Sequence, residues 1–231
     1  MNDPGAAREQ TRARLLDAAR EVFSQHGFQG ATVREICRRA EANVAAVNYH
    51  FGSKDSLLAE ALNFAPLEAM QLANVKSGGS PEARLRLFIR DFMLMLLDEN
   101  DPSSQCRIMA RELADPTPAL DKIVREAIAP LHEFLGGLLD EVAGGRLGEA
   151  ELRRCTHSIL GQCLYYRHSH PVLQRLYPKL RHGRKEIEAI AAHIADFSLA
   201  GIGHASGRDG AVIQGEYSRP DCSDRRSDVR G

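Results

Sequence analysis

Residues 32–54, TVREICRRAEANVAAVNYHFGSK, leave this chain the fewest choices of fold. Two short helical segments flank a tight turn there. In the first, Val33 to Ala40, Ile36 and Ala40 stand four apart, the spacing at which a helix buries one stripe. Thr32 precedes it as an N-cap, and Glu35 occupies the reciprocal position of a capping box. Asn43 is the expected N-cap of the second segment. That segment turns Val44, Val47 and Phe51 inward and leaves Ala45, Ala46, Asn48, Tyr49 and His50 on its outer face. Two helices across a turn of about three residues have the spacing of a helix-turn-helix, whose second helix enters the DNA major groove.

The flanking sequence serves this unit. Leu15, Ala18, Ala19, Val22 and Phe23 recur at three and four and predict a helix from Glu9 to Gln25, stopped by Gly27. Residues 1–8 read as a flexible leader, with Pro4 and Gly5 set against an early helix. Leu15, Ala19, Phe23, Phe28, Ile36, Val47 and Phe51 would close a small bundle that holds the outer helix still. Ser53 caps a fourth helix that runs through Leu57, Leu58, Ala61, Leu62 and Phe64 towards Leu72. Lys54, a cation in its first turn, gains nothing from the helix dipole. The amides there suit a phosphate, to which Lys54 would add charge; the other reading is a solvated surface lysine.

Beyond KSGGSP at 76–81, the clearest linker, the chain is a series of amphipathic helices. Leu85, Phe88, Ile89, Phe92, Met93 and Leu96 mark one, which DENDPSS ends. Ile108, Met109 and Leu113 begin another, stopped by the DPTP turn at 115–118. A third runs from Ala119 to about Val142, kinked or split by Pro130 and closed by Gly144 and Gly145. The last two, Leu152 to about His168 and Arg184 to about Leu199, flank HPVLQRLYPKL, read as short helix plus turn. No period-two pattern appears, so the fold class is all-α: a three-helix head, a connecting helix and a larger helical body. The expected domains are a head at 9–69, with its helix-turn-helix at 32–51, a body at 81–202 and a disordered tail at 203–231.

The formal charge of −1 removes any argument from bulk basicity, so a DNA binder of this composition must use a local patch. Arg34, Arg38, Arg39, His50 and Lys54 supply one, although Arg38 and Arg39 equally fit a solvated helix face. The apolar runs are too short and too charged for a membrane span, and MNDPGAAREQ lacks the apolar core of a secretory signal. Five cysteines, an odd number without a CxxC, are then expected as reduced thiols in the cytoplasm. Cys155, His157, Cys163, His168 and His170 hold metal-ligand chemistry without a compact ligand spacing; plain core thiols are the favoured reading, with no metal and no cofactor. An enzyme is not expected, since no GxSxG, HExxH, P-loop or dinucleotide fingerprint is present.

Ala40, Ala42, Asn43, Val47, His50, Phe51 and Lys54 stand where the TetR family of bacterial transcription regulators places its helix-turn-helix pattern, which this stretch resembles. LLDAAREVFSQHGFQGATV resembles the family's first helix, its Gly-aromatic turn at Gly27 and Phe28, and the Thr that opens helix two. Glu41 departs by standing where Gly is usual; Asn48 replaces the usual Tyr, and VNYHFGSK resembles the CecR-type branch.

The resemblance implies a homodimer on a palindromic double-stranded DNA operator, most simply a repressor released by a small-molecule effector. By matching position, Thr32, Arg34, Asn43, Tyr49, His50 and Lys54 would touch phosphate, while Ala45, Ala46 and Asn48 would face base edges. Tyr49 also fits as a cover for the small core. Phe88, Phe92, Met109, Tyr165 and Tyr166 would line the effector cavity, with Arg107, Arg111 or His168 as polar anchors. Ile159, Cys163, Tyr166, Ile187, Ile190, Ile194 and Phe197 would pair across a two-fold axis; the other reading of these stripes is core within one chain. The alternative function is a helical ligand- or partner-binding protein without specific DNA recognition.

Overall fold

The computed structural model describes residues 4–62, 64–97, 104–178 and 183–207, and within them the chain is helical with no strand. The head comprises α1 (Pro4–Gly30), α2 (Val33–Arg39), α3 (Ala45–Phe51) and α4 (Lys54–Ala61). The body follows as α5 (Ala65–Lys76), α6 (Pro81–Leu97), α7 (Ser104–Ala114), α8 (Ala119–Ile123), a π-helical turn (Val124–Ile128), α9 (Ala129–Ala143), α10 (Glu149–His168), α11 (His170–Leu176) and α12 (Arg184–Ala205).

Helix α1 starts five residues before the expected Glu9. A proline in the first turn gives up an amide that would be unpaired there in any case, so Pro4 opens the helix and does not block it. Gly27 breaks the far end at φ 67°, ψ −178°, a conformation that glycine adopts without the penalty of a side chain. The single helix expected from Lys54 to Leu72 is two helices. Pro66, in the first turn of α5, has no amide to donate to the carbonyl four residues back, and its ring crowds that carbonyl, so the helix cannot run through it from α4. The break separates two destinations: Leu57, Leu58 and Leu62 lie in the head core, whereas Leu67 and Met70 pack on the body. Pro130 does divide the segment after Ala119, standing in the first turn of α9 behind the π turn. At the other end Gly144 and Gly145 donate to the carbonyls of Glu141 and Asp140 at 3.1 Å, which closes α9 as expected.

Two apolar clusters result. The body cluster joins α6, α9, α10 and α12 around Phe88, Met93, Leu135 and Ile194. The head cluster gathers Leu15, Phe23, Ile36, Val47, Phe51 and Leu57, and it also takes in Ile108 from α7 and Ala119 and Ile123 from α8. One wall of the head core is therefore made by the body. The DENDPSS terminator up to residue 103, residues 179–182 and residues 208–231 of the expected tail lie outside the described residues. Residues 203–205 continue α12.

Candidate nucleic-acid interface

Side-chain hydrogen bonds hold the starts of the short head helices, as caps at Thr32 and Ser53 and as a turn at Asn43, since Val44 and not the expected Asn43 is the N-cap of α3. The Thr32 hydroxyl accepts from the Glu35 amide at 3.1 Å, Asn43 Oδ1 from the Ala45 amide at 2.9 Å, and the Ser53 hydroxyl from the Ser56 amide at 3.1 Å. The capping box is not completed by Glu35. Its carboxylate accepts from Arg38 at 2.8 Å and from Arg39 at 2.8 Å, which holds its pKa down at about 2, chiefly through the Arg38 bond and then the Arg39 bond. Between α2 and α3, Glu41 takes φ 50°, the left-handed conformation that the usual Gly would adopt freely.

The outer surface of α3 exposes Ala45, Asn48 and Tyr49, with Tyr49 66% accessible, while Val47 and Phe51 are buried beneath. Two assignments change face. Val44, expected inward, is 49% exposed because it caps the helix and does not lie on its buried stripe, and Ala46, expected outward, is half-buried against the head core. His50 is half-buried, with its ring edge-on to Tyr49 at 4.9 Å. Thr32, Arg34 and Asn43 are exposed at the rim, and among the described residues Arg34 makes no ion pair. Arg38 and Arg39 are committed to Glu35, and Arg39 also reaches Glu21 at 2.9 Å and Gln25 at 3.2 Å.

Lys54 has a partner that sequence reading missed. Its ammonium donates to the Phe28 carbonyl at 2.5 Å and stands 4.2 Å from the centroid of the Phe28 ring, tying the start of α4 to the turn after α1. Partial burial pushes its pKa down. Two of its three N–H bonds remain for a phosphate. On α1, Arg8, which sequence reading missed, lies over the Tyr49 ring at 5.2 Å; Arg12, expected from the sequence to touch phosphate or face water, lies over Phe51 at 5.2 Å and pairs with Glu60.

The eight residues expected around an effector fall into three groups. Phe88 and Phe92 are buried in the body core with their rings stacked at 5.6 Å. Met109 packs on the head cluster and Arg111 faces Gly27, with Arg107 exposed on the same helix. Tyr165 and His168 are exposed on α10, and Tyr166 packs on the body cluster. Of the expected dimer residues, Ile159, Cys163, Ile187, Ile190 and Ile194 are buried within this single chain and Tyr166 packs beside them; Phe197 is 64% exposed. An amphipathic helix turns its apolar stripe to its own core first, and the stripe alone cannot separate the two uses. Burial pushes the Cys163 thiol up to about 12, and among the described residues no three His, Cys, Asp or Glu groups gather as a metal site would need. No described helix is long and apolar enough to cross a membrane.

A capped helix-turn-helix mounted on an all-helical body defines the class, a helix-turn-helix transcription regulator. The profile of the bacterial regulatory proteins of the tetR family matches residues 15–61, and that of the C-terminal domain of the HTH-type transcriptional dual regulator CecR matches residues 81–202. The chain belongs to the TetR family of transcription regulators and is of the CecR type. It is similar to CecR of Shigella flexneri, at 29% identity over 185 residues that make up 72% of this chain and 81% of that protein. Among solved structures it resembles a protein of Pseudomonas aeruginosa PAO1 described as a transcriptional regulator, with a TM-score of 0.65, 23% identity and coverage of 90% of this chain and 95% of that one. It also resembles AibR, solved in complex with isovaleryl coenzyme A and operator DNA, with a TM-score of 0.57, 21% identity and coverage of 84% and 97%. At these identities the two structures bear on the fold alone.

Proposed function

We propose that this regulator is a cytoplasmic repressor that binds a palindromic operator as a homodimer and leaves it when a small molecule occupies the helical body. The observation that carries the DNA half is the exposed face of α3, held on buried Val47 and Phe51 between the Asn43 turn and the Ser53 cap. On this reading Asn48 and Ala45 meet base edges, with Asn48 able to pair with adenine and Ala45 to pack on a thymine methyl, and Ala46 lies at the margin. Thr32, Arg34, Asn43, Tyr49, His50 and Lys54 position the head on phosphates.

A single head reads too few base pairs to find one operator, which is the physical reason for a dimer. Phe197 on α12, with its ring 6.5 Å from that of His193, and Tyr165 on α10 are the large exposed groups on the last two long helices. They support a pairing face made by the outer sides of those helices, the inner sides being spent on the core. Selection of bound fragments from a random DNA library by the full chain tests the proposal. An enriched inverted repeat is expected; no enrichment removes the DNA half and leaves a helical ligand- or partner-binding protein.

A further inference from the structure

The head and body meet at a cavity that the reading above does not use. It has a volume of about 250 Å³ and lies where the end of α1, the middle of α4 and the last turns of α7 come together. Phe23, Phe28, Leu58 and Ile108 provide apolar wall. Arg111, in the last turn of α7, and Asp115, just past its end at Ala114, provide charge of both signs.

Those two charges are available. Asp115 follows Arg111 by four residues but lies beyond the end of the helix, so the pairing that this spacing gives within a helix is not enforced. Here the pair is not made, and neither side chain has an ion pair or hydrogen bond to any described residue. Arg111 instead lies across Gly27, its Nη1 3.3 Å from the point where a β-carbon on that residue would be. Glu112, the third charge at the cavity, is already engaged: its Oε1 accepts from the Thr117 amide and hydroxyl, both at 2.7 Å, and this holds the turn after α7. The unspent groups are thus one guanidinium and one carboxylate beside aromatic and aliphatic walls.

We propose that this cavity is a ligand site for a small zwitterion with an apolar body, of the class of an aromatic α-amino acid, and that its occupant acts on the DNA face through Phe28. The ligand carboxylate pairs with Arg111, its ammonium with Asp115, and its side chain packs on the partly exposed Phe28. Phe28 also holds Lys54 by its carbonyl and its ring, at the first turn of α4. A ligand against Phe28 therefore presses on the residue that fixes the nearest phosphate contact. The site itself stands on geometry; only its effect on DNA rests on the regulatory reading above.

The test titrates the full chain with L-phenylalanine, 3-phenylpropanoate and phenethylamine by calorimetry. Saturable binding of L-phenylalanine is expected, with each single-headed analogue weaker by about fivefold, the scale of one exposed ion pair. Arg111→Gln should erase the advantage over phenethylamine, and Asp115→Asn the advantage over 3-phenylpropanoate; both side chains are exposed, and circular dichroism checks that the variants fold. L-phenylalanine should also slow amide exchange at residues 28–31 and 54–57. No saturable binding, or binding unchanged in both variants, overturns the site. Binding at the site with an unaltered affinity for selected DNA overturns only the link to Lys54. Failure of the chain to bind any DNA sinks the regulatory reading and leaves the calorimetric result standing.

Discussion

The head and the body solve the same problem of fixing helices by opposite means. In the body, long helices bury Phe88, Ile89, Met93, Leu135, Leu138 and Ile194 against one another, with the largely buried Arg84 pairing to Glu141 and the exposed pair Arg86–Asp196 at the surface. In the head, α2 and α3 are seven residues each, too short to be stable alone, and are held by caps and by ties from other elements. Arg12 reaches Glu60, the Arg20 guanidinium donates to the Ala61 carbonyl at 3.0 Å, and Lys54 reaches Phe28. The head also borrows Ile108, Ala119 and Ile123 from the body to finish its core. A reading unit built this way is precise and dependent. Whatever moves α7 or α8 moves a wall of the head, so the body can act on DNA binding without a separate hinge.

The largest effect should come from the self-sufficient side. Phe88→Ala removes a fully buried ring from the body core and should cost about 3–5 kcal/mol of unfolding free energy, read as a lower urea midpoint. Ile123→Ala tests the borrowed wall. Its cost should be about 2–5 kcal/mol, and it should weaken DNA binding although it lies on α8, far along the chain from α3. Normal DNA affinity in a folded Ile123→Ala protein would dissolve the dependence of head on body, and equal loss in Phe88→Ala would show general destabilisation in its place.

Local physics was legible in the sequence. The caps Thr32 and Ser53, the buried Val47 and Phe51 and the division at Pro130 follow from groups within a few residues of each other, and the all-helical class follows from periodicity; the cap expected at Asn43 falls one residue later, at Val44. The start of α1 at Pro4 and the break before Pro66 were also written there, in a proline's tolerance of first turns and nowhere else in a helix. What could not be read is what other helices supply. Nothing near Arg12 announces Glu60, nothing near Lys54 announces the Phe28 carbonyl, and a stripe such as Ile187, Ile190 and Ile194 looks the same whether its partner is α6 or a second chain. Glu35 shows the reverse case, in which a residue well placed for a capping box was won by two arginines one turn away.

Lys54 is where the head's two duties meet, as a tie to Phe28 and as a cation beside the expected phosphate. Lys54→Ala should weaken binding to every DNA sequence and reduce the slope of log affinity against log salt by about one, measured by fluorescence anisotropy across a salt series. A weaker affinity with an unchanged slope would mean that the tie alone matters and would remove Lys54 from the phosphate contacts.

The smallest expected effect separates the head's surface ties from its core. Ionised Glu35 is stabilised by Arg38 and Arg39, so its pKa in the folded head, about 2, lies below the ordinary value of 4.5 that it regains on unfolding. Between those two values the unfolded chain takes up the proton first. The contribution is therefore complete above the ordinary carboxylate value and is lost as pH falls towards about 2. Glu35→Gln should flatten this part of the pH dependence in thermal melts and lower the plateau near neutral pH by the same small amount, because both report the one contribution of the ionised carboxylate, which solvent screening keeps small. A variant whose melts still fall as steeply between those values would place the acid sensitivity of the head in other carboxylates, with Glu60 opposite Arg12 the next to substitute.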